Sequence, residues 1–391
     1  MKKNVCMIVY NDYLVDARVQ REAETLAASK EYKVRVLALK SDGKHQAYEL
    51  NGVLVNASPK EKYCGKSLFR YILSYAFFLG WSFVACTRFF FQKQIDIVHV
   101  HNMPNFLVFS AIIPRVFAKK VILDLHDTVP ETFATKFSRA SSFLFKLLCL
   151  EEHISCSFAQ RLFCVNHVQC ETVVKRGILK EKVSIIMNVP DDRLINYRTS
   201  NGASRARDGA FKIIYHGTIS ERLGIDLIIQ ATARLCRSLH DLEVYLWGRG
   251  DDVESFVRLA KELKVEERIH FNKKHVPMNI LLPELKKMDL GIIGNRMGMA
   301  TELMLPVKML EYVGLGIPVV VPRMKGISYY FSDEMVSYYE PQNVDSMMEA
   351  ILRLYRSETL REKQAERAKT FLDKYGWHKH KMELINLYKN L

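Results

Sequence analysis

Ala300–Val321 reads ATELMLPVKMLEYVGLGIPVVV, and it decides the fold class. The order predicted is loop, helix, tight turn, buried strand. Pro306 suits the first turn of a helix, where a missing N–H costs nothing. Met309, Leu310 and Val313 recur at helical spacing and would face a core. Gly314 and Gly316 are expected to stop the helix. Ile317–Val321 is the short apolar run of a strand covered on both faces in a parallel sheet. The start of such a helix offers unpaired N–H groups and a positive dipole to an anion. Lys308 adds a full charge there, and Glu311 offers a carboxylate acceptor for a ribose hydroxyl. The same residues also describe an ordinary amphipathic helix with a solvated Lys and Glu, so this stretch alone leaves both readings open.

Working outward, strand and helix alternate on either side. Upstream, Phe211–Tyr215, Leu242–Trp247, Arg268–Phe271 and Leu290–Gly294 read as strands. Ile225–Arg237, Phe256–Leu263 and Ile280–Met288 read as the helices between them. Downstream come a strand near Val336–Tyr339 and three helical stretches, Val344–Ser357, Leu360–Lys374 and Trp377–Leu391. The first half repeats the plan, with strands at Val5–Tyr10, Lys33–Leu39, Val53–Asn56, Ile95–His101, Val121–Leu125, Arg161–Val165 and Val183–Met187. Helices are expected at Phe106–Phe117, Ser141–Phe158 and Val168–Lys175. Such alternation predicts an α/β protein with mainly parallel sheets covered on both faces. Asp191–Gly209 is polar and aperiodic, a linker between two domains in tandem. The divisions expected are 1–190, 191–209, 210–371 and 372–391.

The chain has 391 residues and 49% hydrophobic content, ample for two or three packed cores. Its formal charge of +14 implies an anionic partner. The basic residues do not form a recognisable nucleic-acid module, so phosphorylated small molecules and acidic membrane surfaces are the partners to consider. The 8 cysteines are scattered without a CxxC pair and read as free thiols in a reducing compartment. Met1–Lys3 leads straight into a strand-like VCMIVY, so no signal peptide is expected and a cytoplasmic location follows. Leu68–Phe91 is apolar and aromatic, with Lys60, Lys62, Lys66, Arg70, Arg88 and Lys93 around it. It reads either as a core helix of an α/β layer or as a helix lying on anionic lipid, not as a membrane span.

Two loops of the second half look built for phosphate. In His216–Gly224, HGTISERLG, a strand ends, Gly217 permits close backbone approach, Arg222 supplies charge and a helix begins. In Trp247–Asp252, WGRGDD, Gly248 follows a strand in the same way. Each loop alone fits a plain turn; together with Lys308 they point to a nucleoside diphosphate. There is no GxxxxGK[ST], no GxGxxG after the first strand, and no HExxH or other metal spacing. In the first half, His126, Asp127 and Glu131 crowd the carboxyl end of a strand, where open α/β sheets place ligands. His126 reads there as functional. Asp16 and Arg18 follow the first strand and are either site residues or surface charges.

At this point the chain resembles the retaining glycosyltransferase family 4, and the subgroup acting on bacterial cell-envelope glycans. The second half matches in HGTISERLGIDLIIQA, LEVYLWGRGD, MDLGIIGN and LPVKMLEYVGLGIPVVV, and the first in DARVQREAETLA, IDIVHVHN, LDLHDTVPE and IIMNVPDD. The resemblance implies a GT-B architecture, two Rossmann-like domains facing across a cleft, with the last helix crossing back to the first domain. It implies transfer of a sugar from a nucleoside diphosphate sugar to a glycan or lipid-linked glycan, with retention and without an obligatory metal. It implies that Glu311 is the second glutamate of the family's Glu-x7-Glu motif, contacting ribose. Arg222 and Lys308 would hold the diphosphate beside Gly217 and Gly248, and His126 would stand beside the transferred sugar. Asp16, Arg18, Asp127 and Glu131 would lie on the acceptor side. One departure stands out: Leu303 occupies the first glutamate's place, and Glu302 is one position off. A sugar-nucleotide epimerase or hydrolase of the same architecture, and a silent nucleotide- or glycan-binding scaffold, are the competing expectations.

Overall fold

The computed structural model describes residues 2–41, 46–63, 65, 67–136, 142–191, 209–250, 253–274, 276 and 278–391. Its contacts divide the chain into two compact units, Met1–Asn188 with His378–Leu391, and Val189–Trp377. The stretch expected as a linker, 191–209, lies outside the described residues except at its two ends, and so do Lys66 and the Asp251–Asp252 pair.

The first unit is built on an eight-stranded sheet. Its strands are β1 (Lys3–Asp12), β2 (Tyr32–Leu39), β3 (Ala47–Leu50), β4 (Val53–Ala57), β5 (Ile97–His101), β6 (Lys120–Leu125), β7 (Arg161–Cys164) and β8 (Val183–Ile185), in the order β3-β4-β2-β1-β5-β6-β7-β8. Every pairing is parallel except β3 with β4. The β3 strand is a finding the pattern did not predict. AYEL is short and polar, and it hangs on the edge by the turn at Asn51–Gly52, where both residues have positive φ. One face of the sheet is covered by α2 (Leu68–Phe91), by Asn105–Val116, and by α5 (Ser142–Phe158); these share a core with Ile8, Val100 and Leu123. The helix expected over Phe106–Phe117 opens as a 3-10 helix, Asn105–Ala111, and becomes α3 only at Ile112–Val116. Pro114 has no N–H to bond back to Ser110, so the α-ladder cannot run through that turn. The remaining helices of this part are α1 (Ala17–Ala28), α4 (Val129–Lys136) and α6 (His167–Lys175).

The second unit holds β9 (Phe211–His216), β10 (Leu242–Trp247), β11 (Ile269–Asn272), β12 (Leu290–Ile292), β13 (Val319–Pro322) and β14 (Ser337–Tyr339), all parallel, in the order β11-β10-β9-β12-β13-β14. Its helices are α7 (Ile225–Leu235), α8 (Val253–Glu262), α9 (Met278–Leu285), α10 (Val307–Leu315), α11 (Lys325–Ser328), α12 (Val344–Arg356) and α13 (Glu358–Tyr375). Gly314 does not stop α10. It lies inside the helix, and the stop is Gly316, whose φ of 69° only glycine adopts readily. The last helix, α14 (Trp377–Lys389), belongs almost wholly to the first unit. There the Tyr388 hydroxyl lies 2.6 Å from His99 Nδ1, and both residues are fully buried.

Candidate active site

In the second unit, three loop regions meet at the carboxyl ends of β9 and β10. Gly217 N–H donates to Trp247 O at 2.8 Å, and Ile219 N–H donates to Arg249 O at 2.8 Å. The two loops are therefore zipped together. Gly248 has a φ of 153°, and a Cβ there would overlap the Gly217 carbonyl oxygen. Gly217 has a φ of 109°, and a Cβ there would stand 3.0 Å from Lys308 Nζ. Gly217, Gly248 and Lys308 thus share one small space, with backbone approach as close as glycine permits.

Lys308 comes from the first turn of α10. Its Nζ donates to the Tyr215 hydroxyl at 2.6 Å, and that hydroxyl donates to Thr218 O at 2.6 Å. The ammonium also sits 4.0 Å from the centre of the Tyr215 ring. Among the described residues no carboxylate pairs with it. Burial pushes Lys308 down to about 7; Glu311 opposes that shift and Arg222 adds to it. A half-charged lysine with no acid on it suits a dianionic visitor. Arg222 itself lies exposed on the 3-10 turn Glu221–Leu223.

One turn on, Glu311 is buried and bound. His216 Nε2 lies 2.7 Å from Glu311 Oε2, and His216 Nδ1 lies 2.8 Å from the Tyr312 hydroxyl. The Tyr312 oxygen also accepts from the His216 backbone N–H at 3.1 Å. These bonds fit one tautomer: Nε2–H donates to the carboxylate, and Nδ1 accepts from Tyr312. His216, Tyr215 and Tyr312 carry no expectation from the sequence beyond core and loop. Their signal is a histidine on the last residue of a strand, facing a helix far along the chain.

The first unit has its own polar centre, at the ends of β5 and β6. Asp124 is fully buried and receives Arg18 Nε and Nη2, both at 2.8 Å. Arg18 Nη1 donates to Ile186 O at 2.8 Å, and Glu22 lies 3.1 Å from Nη2. His126 Nε2 stands 3.0 Å from Asp124 Oδ2 and 3.1 Å from His101 Nδ1. Burial alone would lower the His126 pKa, but Asp124 outweighs it and the group is raised. Asp124 is held well below the carboxylate range, burial being overcome by Arg18 and His126. Burial likewise pushes Glu22 up, to about 7, despite Arg18.

Glu22, His99, His101 and Asp124 form the grouping of potential metal donors among the described residues, with ligand atoms within 4.8 Å of one another. Arg18 already supplies the positive charge there. Arg18 is thus wholly engaged inside the protein. Asp16 caps α1, accepting from Val19 N–H at 3.2 Å and from Asn11 at 2.9 Å. Glu131 is tied to Arg176. Asp127 has its backbone on Asn102, whose side chain donates to the Asp127 carbonyl at 2.7 Å. Of the first-half candidates, Arg18 and Glu131 are buried, whereas Asp16, Asp127 and His126, the last at 19% exposure beside the charged centre, are half-buried.

Two family models match the chain. "Glycosyltransferase Family 4" matches residues 15–193, and "Glycosyl transferases group 1" matches residues 196–371. The chain belongs to the family 4-like glycosyltransferases of the GT-B fold. Similar to it are an uncharacterized glycosyltransferase of Methanocaldococcus jannaschii, 22% identical over 319 residues, and the lipopolysaccharide glucosyltransferase WaaG of Escherichia coli, 23% identical over 288 residues. The first alignment covers 76% of this chain and 75% of the relative, the second 66% and 71%. The structure of Anabaena Alr3699/HepE in complex with UDP and glucose shares the fold at a TM-score of 0.72 and 14% identity, covering 99% of both chains. The enzyme is thus a glycosyltransferase.

Proposed function

We propose that this glycosyltransferase moves a sugar from a nucleoside diphosphate sugar to a glycan or lipid-linked glycan, with retention of configuration. The placement of Gly217, Gly248, Lys308 and Glu311 around one space in the second unit carries the reading. The diphosphate sits against the two glycine loops, where backbone can approach it. Lys308 and Arg222 stabilise the negative charge that builds as it departs. Glu311, fixed by His216, accepts from the ribose and orients the nucleotide. We assign His126, whose proton affinity Asp124 raises, to the transferred sugar, and Asp127 beside it to the acceptor. No metal takes part in this scheme.

We place the reaction in cell-surface polysaccharide synthesis, on the cytoplasmic face of a membrane. Support comes from the basic charge and from α2, whose outer side is apolar and whose sequence has no acid. The likeness to a lipopolysaccharide glucosyltransferase points the same way.

The test is a thermal-shift panel of UDP, GDP, ADP and CMP with their common sugars, repeated on Glu311→Ala. A ligand that binds only the folded protein raises the melting temperature. One diphosphate should stabilise the wild type and clearly less so the variant. No stabilisation by any of them removes the donor site. Binding without turnover favours a silent scaffold, and a changed or released sugar without acceptor favours an epimerase or hydrolase.

A further inference from the structure

Helix α5 carries a second apolar stripe on its outer side, away from the core it helps to close. A helix that closes an α/β layer ordinarily faces the sheet with its apolar stripe. In α5 the stripe at helical spacing is Phe143, Leu147, Leu150 and Ile154, and these are 76%, 49%, 54% and 49% exposed. The inward side mixes buried Glu152, Ser155 and Cys156 with half-buried Leu144, Phe145 and Leu148. Arg176 donates to Glu152 at 2.5 Å, Asn105 donates to Glu151 at 3.1 Å, and Ser155 donates to Glu151 at 2.9 Å. The polar network holds the helix from within, and its apolar stripe touches water.

The neighbours in the same layer repeat this exposure. Helix α2 buries Phe78, Ser82 and Cys86 against the sheet, while Phe69, Leu73, Val84 and Phe91 point outward. Val116 and Phe117, at the end of α3, are exposed as well, and the Phe90 ring lies 5.2 Å from that of Phe117 and 5.3 Å from that of Phe91. All three elements pack into one core, so their outer sides adjoin, and contiguous exposed apolar residues mark interaction sites.

The charge around this surface says what covers it. Helices α2 and α3 contain no Asp or Glu, and the two glutamates of α5 are turned inward. Arg70, Arg88 and Lys146 are exposed on it. At one edge Lys93 and Lys120 line a cavity with Lys2 and Lys3, opposed by Asp96. A second copy of the chain would set one basic rim against another. An apolar layer edged by negative headgroups matches both features.

We propose that the outer faces of α2, α3 and α5 form a single surface that lies on an anionic bilayer, with the α5 stripe sunk toward the acyl chains. This rests on the membrane-facing reading of α2 and adds α5.

The whole chain is sedimented with vesicles of phosphatidylcholine, with and without phosphatidylglycerol. Two double variants are compared, Leu147→Gln/Leu150→Gln on α5 and Leu73→Gln/Val84→Gln on α2. All four positions are exposed, so unchanged thermal melting verifies the fold. The wild type should bind the acidic vesicles, less so in high salt, and the α5 variant should bind about tenfold more weakly. An α5 variant that binds like the wild type, beside an α2 variant that does not, overturns the role of α5 and leaves that of α2. A wild type that ignores acidic vesicles overturns both. A dimer in sedimentation velocity that the α5 variant splits, with vesicle binding unchanged, makes the surface a self-interface and overturns the proposal. Sugar transfer to a soluble acceptor, assayed without lipid, tests the enzymatic reading separately.

Discussion

Glu311 is held by His216 at 2.7 Å, and His216 is held in turn by the hydroxyl of Tyr312, the residue next to Glu311. The helix thus fixes the imidazole at the strand end from two sides, and the imidazole holds the carboxylate. In the function proposed above, a carboxylate fixed this way would accept from a ribose hydroxyl without reorganising. Glu311→Ala should weaken nucleoside diphosphate binding about tenfold, the scale of one hydrogen bond to a charged group. His216→Ala should weaken it less, since the carboxylate remains but is loose. Titration calorimetry with the diphosphate that the thermal panel selects measures both.

Lys308 makes that binding depend on pH. Its free ammonium titrates at about 7 because burial disfavours the charge. A bound diphosphate favours the charge and raises the value. Between the free and bound values, binding takes up a proton, so affinity should fall as pH rises above 7, by up to about tenfold per unit. Below 7 the lysine is already charged and the dependence levels off. Calorimetry at pH 8 in buffers of different ionisation enthalpy counts the proton, and Lys308→Met should abolish the uptake.

Asp124 is the anchor of the first unit. Asp124→Asn leaves His126 without its counter-charge in a buried place and Arg18 with Glu22 alone, and should cost about 3 kcal/mol. The two groups leave opposite signatures in pH. Asp124 titrates below its unfolded value, so its contribution is present above the ordinary carboxylate range and fades as pH falls through the folded value. His126 titrates above its unfolded value of 6.5, so its contribution is full below that and lost as pH rises through the folded value. Denaturant unfolding of wild type and Asp124→Asn across pH should show both limbs flattened in the variant.

The two glycines of the donor loops should respond differently. At Gly248 an added Cβ meets backbone, which cannot step aside; at Gly217 it meets the end of a flexible lysine. Gly248→Ala should unzip the loops, lowering both melting temperature and nucleotide affinity. Gly217→Ala, strained by its φ but less crowded, should lose affinity through Lys308 with a smaller change in melting temperature. Paired thermal melts with and without the diphosphate separate these effects.

Both sheets were legible in the sequence because parallel strands buried on two faces appear as unbroken apolar runs, as in IIY and VVV. Lys308 and Glu311 were legible because they sit at the head of a helix between a loop and a glycine turn. Of the centre around Asp124 only the rim was legible, in His126 at a strand's end and in Arg18, which reads as a site residue or a surface charge. Asp124, His99 and His101 lie inside strand runs, IVHVH and VILDL, where a histidine or aspartate looks like an ordinary strand position. Only the register of β5 beside β6, with His101 opposite Asp124, brings them together. The edge strand β3 was missed because a short antiparallel addition needs no apolar run. The pairing of His216 with Glu311 was missed because it joins residues distant in the chain.

The Tyr388–His99 bond gives the two units different histories of assembly. The second unit is one unbroken segment of chain, and all of it exists once residue 377 has been made. The first unit begins the chain yet also includes its final helix, whose Tyr388 reaches the strand carrying His99. During synthesis, which proceeds from the N-terminus, the first half must wait with this part of its interior uncovered. The half that is made first is therefore the half completed last, and loss of the final residues would be felt nearly three hundred positions earlier, beside Asp124 and His126.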